Sequence, residues 1–336
     1  MVDATYKSFD ASDRSYYAIL KKEVHNLAVS KGFPPAKISQ LDIIAAEMTS
    51  NLHKYAVAGE LLLGYFDYSG AAYIELICLD KGPGMRDTVR MMKDGFSTSN
   101  TMGHGLGSIK RLSDVFDIFS HVGWGTMVLS RIYKSTPAQA KIKKGFQFKE
   151  MVIAKPKELV SGDACYLKQS DEYIKFILCD GLGHGPEANL AANEAIRAFK
   201  LCPSPSPVDI IRYIHPEVRK TRGLVATIVI YDVKAKQLRI GGVGNIATKL
   251  TGPLLSKSHL SYNGIIGHNI PNTMNDLVVD AQDYSQVILC SDGIRSRWET
   301  GKLPGLNRLD LSLQAAAVYK DYARLSDDMS VVIAKF

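Results

Sequence analysis

The chain of 336 residues has no Cys-x-x-Cys pair, no apolar run long enough to cross a bilayer, and no ladder of aromatics among its basic residues. Each absence removes a class of protein. The five cysteines (Cys78, Cys165, Cys179, Cys202, Cys290) are odd in number and lack framework spacing, which points to a reducing compartment and not to a disulfide scaffold. Three of them lie in strand-like apolar runs, where cysteine behaves as a small buried hydrophobe. With no leader-like start and no spanning segment, a cytoplasmic protein without a membrane partner is expected. The formal charge is +7, and part of the excess sits in Arg131, Lys134, Lys141, Lys143, Lys144 and Lys149. No nucleic-acid motif accompanies this run, so it reads as a solvated connector between domains and no nucleic-acid partner is expected. A content of 46% hydrophobic and 22% charged residues is that of a globular protein, and the length suits two domains.

What is present is a recurring design. The apolar run Phe176-Ile177-Leu178-Cys179 delivers Asp180, and Gly181, Gly183 and Gly185 follow, with His184 among them. Val287-Ile288-Leu289-Cys290-Ser291 leads to Asp292-Gly293 in the same way. Asp327-Asp328 opens the strand-like run from Met329 to Ile333, and Ser161-Gly162-Asp163 precedes Ala164-Cys165-Tyr166. A single strand-Asp-Gly is an ordinary turn. Four acidic strand ends separated by long spacers suit one oxygen-ligand cluster for hard divalent ions.

In the first third, Ser12 and Asp13 are placed to cap a helix that runs to about Ser30, stopped by Gly32 and Pro34-Pro35. A second helix is expected from about Pro35 to Ala56. Its apolar positions Leu41, Ile44, Ala45, Met48 and Leu52 recur at helical spacing. Glu47, Asn51, Lys54 and Tyr55 lie on another stripe, and Glu47 and Asn51 are i,i+4 neighbours able to reach one ligand. Taken alone, this stripe reads as a solvated face. Two strands follow (61–66 and 72–79), the second ending in Asp80-Lys81-Gly82-Pro83-Gly84. Then comes Gly103-His104-Gly105-Leu106-Gly107-Ser108, leading into a helix at Ile109. Alternate glycines ahead of a helix N-terminus expose amides to an anion.

The order Glu-x-x-x-Asn helix, strand-Asp-x-Gly-x-Gly, Gly-x-Gly-x-Gly resembles the GHKL (histidine-kinase-like) ATP-binding superfamily over roughly residues 10–132. Within it, the nearest likeness is to the anti-sigma-factor and stressosome switch serine kinases. The resemblance implies ATP with Mg²⁺ as cofactor. Asn51 would be the Mg²⁺ ligand, Asp80 the acceptor for the adenine amino group, and Gly82 and Gly84 would shape the base pocket. Gly103, Gly105 and Gly107 would form the phosphate loop, Lys54 would sit at the nucleotide, and Glu47 would act as general base toward the attacking hydroxyl. Only one helix precedes Glu47, so a sensor kinase's dimerising helix is missing, and His25 reads as an ordinary face residue.

Downstream, Asp163, Asp180-Gly181, Ala226-Thr227, Gly244-Asn245, Ser291-Asp292-Gly293 and Asp327-Asp328 come in the order of the metal-dependent protein phosphatases (PPM). They resemble the short bacterial branch of sporulation and stressosome enzymes, over about residues 147–336. The resemblance implies two Mn²⁺ or Mg²⁺ ions. Asp180 would bridge them, the Gly181 carbonyl would add a ligand, and Asp163, Asp292 and Asp327 would complete the set. Asp328 would stand behind them. Carboxylates holding two hard cations make water a nucleophile toward a phosphoserine or phosphothreonine. His184 is either an acid toward the leaving hydroxyl or a loop residue beside the site.

The expectation is an α/β two-domain chain. A GHKL-type α/β sandwich would occupy 1–134, a linker 135–146, and a PPM-type αββα sandwich of antiparallel sheets 147–336. The function expected is a bifunctional serine/threonine kinase and phosphatase acting on a STAS-domain protein in a bacterial partner-switching pathway, with a sigma factor or other switch partner downstream. The rival reading gives the front domain nucleotide binding and partner sequestration, or regulation of the phosphatase, without phosphoryl transfer. No oligomeric state follows from the sequence.

Overall fold

A computed structural model describes residues 5–11, 16–68, 71–92, 105–136, 145–253, 255–299 and 303–336. The chain forms two compact units. The front unit takes Thr5–Ile142 and Glu299–Ala317, and the rear unit takes Lys143–Trp298 and Val318–Phe336. The front unit is therefore not one continuous stretch, because an excursion between Asp292 and Asp327 belongs to it.

The front unit carries β1 (Tyr6–Asp10), α1 (Tyr17–Ser30), α2 (Pro35–Tyr55), β2 (Gly59–Tyr68), β3 (Ala71–Asp80), α3 (Thr88–Met91), α4 (Gly105–Leu112), β4 (Val115–His121) and β5 (Gly125–Tyr133). The expected caps Ser12 and Asp13 lie outside the described residues. α2 starts where a proline can start a helix: Pro35 occupies the first turn after an extended Pro34, so its missing N–H costs nothing. The strands pair antiparallel in the order β1-β2-β3-β5-β4. Alternate residues Leu61, Leu63, Ile74, Leu76, Cys78, Val128 and Ile132 point to one face and meet Leu20, Val24, Leu41, Ile44, Ala45, Met48, Leu52 and Ile109. Period two on the sheet and period 3.6 on the helices thus bury one shared core.

On the sheet's other face a charge is buried. Glu75 is fully buried, directly across from Arg131 in the β3–β5 pair. Arg131 Nε donates to Glu75 at 2.7 Å, and the Tyr6 hydroxyl donates to the same carboxylate. Arg131 also reaches Asp310 and the Ser312 hydroxyl, each at 3.2 Å, and the Asp310 amide donates to Asp117 at 2.9 Å. These last two partners come from the Glu299–Ala317 excursion. Arg131 is thus no part of a solvated connector. Lys149 departs from that expectation as well, being 97% buried on a strand of the rear unit. Both residues sit on strands, where alternation turns every second side chain inward. Lys141, Lys143 and Lys144 lie outside the described residues.

The rear unit holds β6 (Gln147–Ile153), β7 (Asp163–Gln169), β8 (Tyr173–Gly181), α5 (Pro186–Leu201), α6 (Pro207–Glu217), β9 (Leu224–Asp232), β10 (Gln237–Val243), β11 (Ala247–Thr251), β12 (Ser256–His259), β13 (Leu277–Asp280), β14 (Gln286–Cys290) and β15 (Met329–Lys335). In sequence between the last two comes α7 (Leu311–Tyr322), of which the residues up to Ala317 belong to the front unit and those from Val318 to the rear. Antiparallel sheets β12-β11-β14-β15-β6 and β13-β10-β9-β8-β7 face each other. Phe176, Leu178, Val229 and Ile240 of one meet Val152, Val287, Leu289 and Val332 of the other. The outer face of the second sheet is covered by α5 and α6, and all of Ala188, Ala191, Ala192, Ala195 and Ala198 on α5 are buried. Small residues let a helix lie close on a sheet. The Pro203–Pro207 stretch, read as a loop, instead ends in a helix start: the Ser206 hydroxyl accepts from the Asp209 amide at 3.2 Å and Pro207 takes the first turn of α6.

Removing Arg131 should leave the Glu75 carboxylate uncompensated in the front core. Arg131→Ala is expected to lower the front unit's stability by about 3–5 kcal/mol. The double change Arg131→Met with Glu75→Leu should cost much less. Chemical denaturation followed by circular dichroism measures both; equal losses would show that packing, not the charge, is what matters.

Candidate active sites

In the front unit β3 ends in Asp80. Its Oδ1 accepts from the Gly82 amide at 2.7 Å and the Thr126 amide at 3.2 Å. Two backbone donors hold the carboxylate in one orientation, which is what a group that reads a ligand's hydrogen-bonding edge needs. Glu47 and Asn51 stand on α2 one turn apart, both partly exposed. The packing of α4 against α2 brings Gly105 to them. A Cβ placed on Gly105 would lie 3.0 Å from Glu47 Oε2 and 3.2 Å from Asn51 Oδ1. Any side chain there would fill the space between the carboxylate, the amide and the start of α4. As glycine, the position leaves a small polar cradle beside a helix N-terminus, the environment a phosphate group with its cation needs.

The structure therefore brings Glu47, Asn51 and Gly105 together, and sets Asp80 with Gly82 and Gly84 on a neighbouring strand end and turn. Gly107 is buried within α4. The helix starts at Gly105 and not at Ile109, so two of the three alternating glycines form its first turn instead of preceding it. Intrinsic propensity disfavours glycine in a helix, and here the packing of α4 on α2 overrides it. Gly103 and His104 lie outside the described residues. Lys54 is exposed near the end of α2. His25 is paired with Asp42 at 3.0 Å on the unit's surface.

In the rear unit, antiparallel register sets Asp163 at the start of β7 directly opposite Asp180 at the end of β8. Like charges placed this way repel. Asp163 is almost wholly buried. Burial above all, offset by hydrogen bonds from Ser291 and Ser330, with Asp328 and Asp292 adding repulsion, pushes its carboxyl up to about 7. Asp180 is held well above the carboxylate range by burial and then by Asp163, Asp292, Asp327 and Asp328. That influence reaches Asp180 from all four other acids, so the separate strand ends do share one region. Ser330 Oγ donates to Asp163 at 2.6 Å, and Asn245 Nδ2 to Asp292 at 3.0 Å. Asp328 serves the backbone: its two oxygens accept from the Lys155 and Gly162 amides, each at 2.8 Å. It holds the chain that enters β7, and it stands behind the other four.

Gly181 is glycine for space, since a Cβ would come within 2.3 Å of the Ala188 carbonyl on α5. His184 lies exposed in the loop beyond it, its Nδ1 2.7 Å from Glu158. Sequence reasoning missed Glu158, and it missed Asn189, which anchors the Ser161 carbonyl at 2.8 Å. Neither carries a motif; only proximity in the fold reveals them.

Do these residues fit divalent cations? Among the described residues no group of three or more His, Cys, Asp or Glu forms a ready-made cage. Mg²⁺ keeps several waters and takes only one or two carboxylates directly, so a tight cage is not what such ions require. The donors are all hard oxygens, and the raised carboxyls mark a shortage of positive charge. The set fits one or two hard divalent ions, which Asp180 would hold with Asp163, Asp292, Asp327 and the Gly181 carbonyl. When bound, such ions acidify water and neutralise a phosphoryl group.

The chain is thus a fusion, a kinase-type region in front and a PPM-type phosphatase fold over the rest. The front region is 34% identical over 103 residues to the serine/threonine-protein kinase RsbT of Bacillus subtilis (strain 168), covering 31% of this chain and 77% of that kinase. The chain belongs to the RsbT family of serine/threonine kinases. A chain from a structural study of the bacterial stressosome is 29% identical with a TM-score of 0.54, over 57% of this chain and all of that one. RsbX in complex with magnesium is similar in fold, at 18% identity and a TM-score of 0.51 over 58% of this chain and 97% of its own. No protein-family model matches the chain. Among the described residues no helix is long and apolar enough to cross a membrane.

Gly105→Ala should fold normally and bind ATP at least about tenfold more weakly, because its methyl group occupies the cradle. Calorimetry with Mg²⁺-ATP measures this, and unchanged affinity would show that the nucleotide does not sit there. In the rear unit a raised carboxyl binds its proton more tightly folded than unfolded. Without metal, Asp163 therefore contributes stability that is present below its ordinary value of 3.8 and is lost as pH rises to about 7. Mg²⁺ or Mn²⁺ should raise the melting temperature more at pH about 8 than at pH about 5, since the cation replaces the protons. Asp163→Asn should flatten the metal-free pH dependence; thermal scans across pH check both.

Proposed function

We propose that the front unit is a GHKL-type ATP site that phosphorylates serine or threonine on a partner protein, and that the rear unit is a metal-dependent phosphatase that removes such phosphate. The observation that carries the kinase half is the convergence of Glu47, Asn51 and the Gly105 helix start. Asn51 would hold Mg²⁺ on the nucleotide phosphates, and Asp80 would accept from the adenine amino group, with Gly82 and Gly84 lining the base pocket. Glu47, about one helical turn from Asn51, would take the proton of the attacking hydroxyl. Gly103, Gly107 and Lys54 belong to the same proposed nucleotide site. The membership in the RsbT family supports this half. The acid-lined end of β7 and β8 and the likeness in fold to RsbX support the other.

The partner proposed is a STAS-domain protein in a bacterial partner-switching pathway, with a sigma factor or another switch protein released downstream. RsbT and the stressosome neighbour point in that direction. The rear chemistry requires water as nucleophile and a serine or threonine oxygen as leaving group. Asp163, Asp180, Asp292 and Asp327 would hold the two Mn²⁺ or Mg²⁺ ions, with the Gly181 carbonyl.

The experiment silences one half to see the other. Protein carrying Asp180→Asn and Asp292→Asn, given ATP, Mg²⁺ and a STAS-domain protein encoded in the same genome, should leave phosphoserine or phosphothreonine detectable by mass spectrometry. Wild-type protein with Mn²⁺ should erase it, and Glu47→Ala should lower transfer by about a hundredfold or more. Tight ATP binding with no phosphate on any STAS protein would make the front unit a nucleotide-binding sequestering or regulatory module.

A further inference from the structure

Four carboxylates and a carbonyl can hold cations, but none of them can donate a hydrogen bond to a phosphoryl oxygen. A phosphate monoester carries close to two negative charges at neutral pH, and the side-chain donors described so far are engaged elsewhere, Ser330 on Asp163, Asn245 on Asp292 and His184 beside Glu158.

The strand register leads to one. In the β8–β9 pair Asp180 stands opposite Val225 and Gly181 opposite Leu224. The ladder continues past the strands, where the Leu182 amide donates to the Gly223 carbonyl at 3.1 Å. The next step sets Gly183 against Arg222. A Cβ on Gly183 would lie 3.1 Å from Arg222 Nη1, so the guanidinium rests on the loop that follows Asp180 and Gly181. Its backbone is pinned: the Arg222 carbonyl accepts from His268 Nε2 at 2.8 Å. The Gly223 amide donates to Thr221 Oγ1 at 3.1 Å, and that hydroxyl donates to the Val218 carbonyl at 2.7 Å.

The side chain is held differently. Arg222 is half exposed and pairs through Nε with Glu187 in the first turn of α5, itself 67% exposed. An ion pair so open to water contributes little to stability and exchanges readily. The fork of a guanidinium matches two phosphate oxygens, and bonds of this kind are among the strongest a side chain makes.

We infer that Arg222 is the phosphoryl-binding residue of the rear site, parked on Glu187 in the free protein and transferred to the phosphate of a phosphoserine or phosphothreonine substrate. The inference rests on the phosphatase reading above. Glu187 is then a competitor for the guanidinium, not its functional partner.

That competition separates the proposal from a merely structural pair. A structural pair predicts that Arg222→Ala and Glu187→Gln do the same harm. Here Arg222→Ala should raise KM for the phosphoprotein by about tenfold or more and weaken the binding of inorganic phosphate to the Mg²⁺-loaded protein, measured by calorimetry, to a similar degree. Arg222→Lys should restore part of both. Glu187→Gln should leave KM and phosphate affinity equal to wild type or improve them. The overturning result is an active wild-type protein whose KM and phosphate affinity are unmoved by Arg222→Ala, or harmed equally by both changes. A wild-type protein that binds Mg²⁺ but removes no phosphate from any phosphoprotein would remove the phosphatase reading, and this inference with it.

Discussion

Asp163 and Asp180 stand directly opposite each other across one antiparallel pair, and they cannot both be charged there at low cost. A fold that puts two carboxylates at adjacent strand ends, one of them almost wholly buried, stores repulsion that only protons or cations relieve. Much of the rear unit serves that arrangement. Ser330 and Asn245 orient Asp163 and Asp292. Asp328 spends both its oxygens on backbone amides, which keeps the entry to β7 in place. Gly181 gives up its side chain so that α5 can approach. Each is a small stabilising contact made to hold a locally unfavourable one.

The front unit solves the opposite problem. The nucleotide site proposed there needs room for an anion, not relief from its own charge. α2 supplies a carboxylate and an amide on one stripe, and α4 approaches close enough that only glycine fits between them. Room is made by leaving out one Cβ, and direction by pinning Asp80 with two amides. The buried Glu75–Arg131 pair on the sheet's far face belongs to another layer of organisation. It ties β3, β5 and the Glu299–Ala317 excursion into one unit through charges that cannot be left single.

The readable parts of the chain were those with a period or a punctuation mark. α2 carried its apolar stripe and a proline at its start. The strands leading to Asp80, Asp180 and Asp292 were apolar runs followed by Asp and Gly. α6 was missed although Ser206-Pro207-Val208-Asp209 is a fair capping signal, because three prolines in five residues look like a loop. The start of α4 was misplaced because glycine is a poor helix former and the contact that overrides this lies fifty residues upstream. Arg131 and Lys149 were counted with a solvated run, yet they sit on strands where alternation turns every second residue inward. Glu158, Asn189 and Arg222 had no signal at all.

What the sequence by itself determined is the inventory: acids at strand ends, glycines clustered beside them, an i,i+4 Glu–Asn pair on a helix, and a chain long enough for two cores. Those are local features, set by a few neighbouring residues and the periods of helix and strand. Only the tertiary structure decided which of them meet. Register placed Asp163 against Asp180 and Arg222 against Gly183, and helix packing brought Gly105 to Glu47 and Asn51. An excursion late in the chain supplied Asp310 to Arg131. Electrostatic repulsion, steric room and the pairing of buried charge act through space over a few ångströms, so they depend on contacts between residues tens to nearly two hundred positions apart, which no local pattern records.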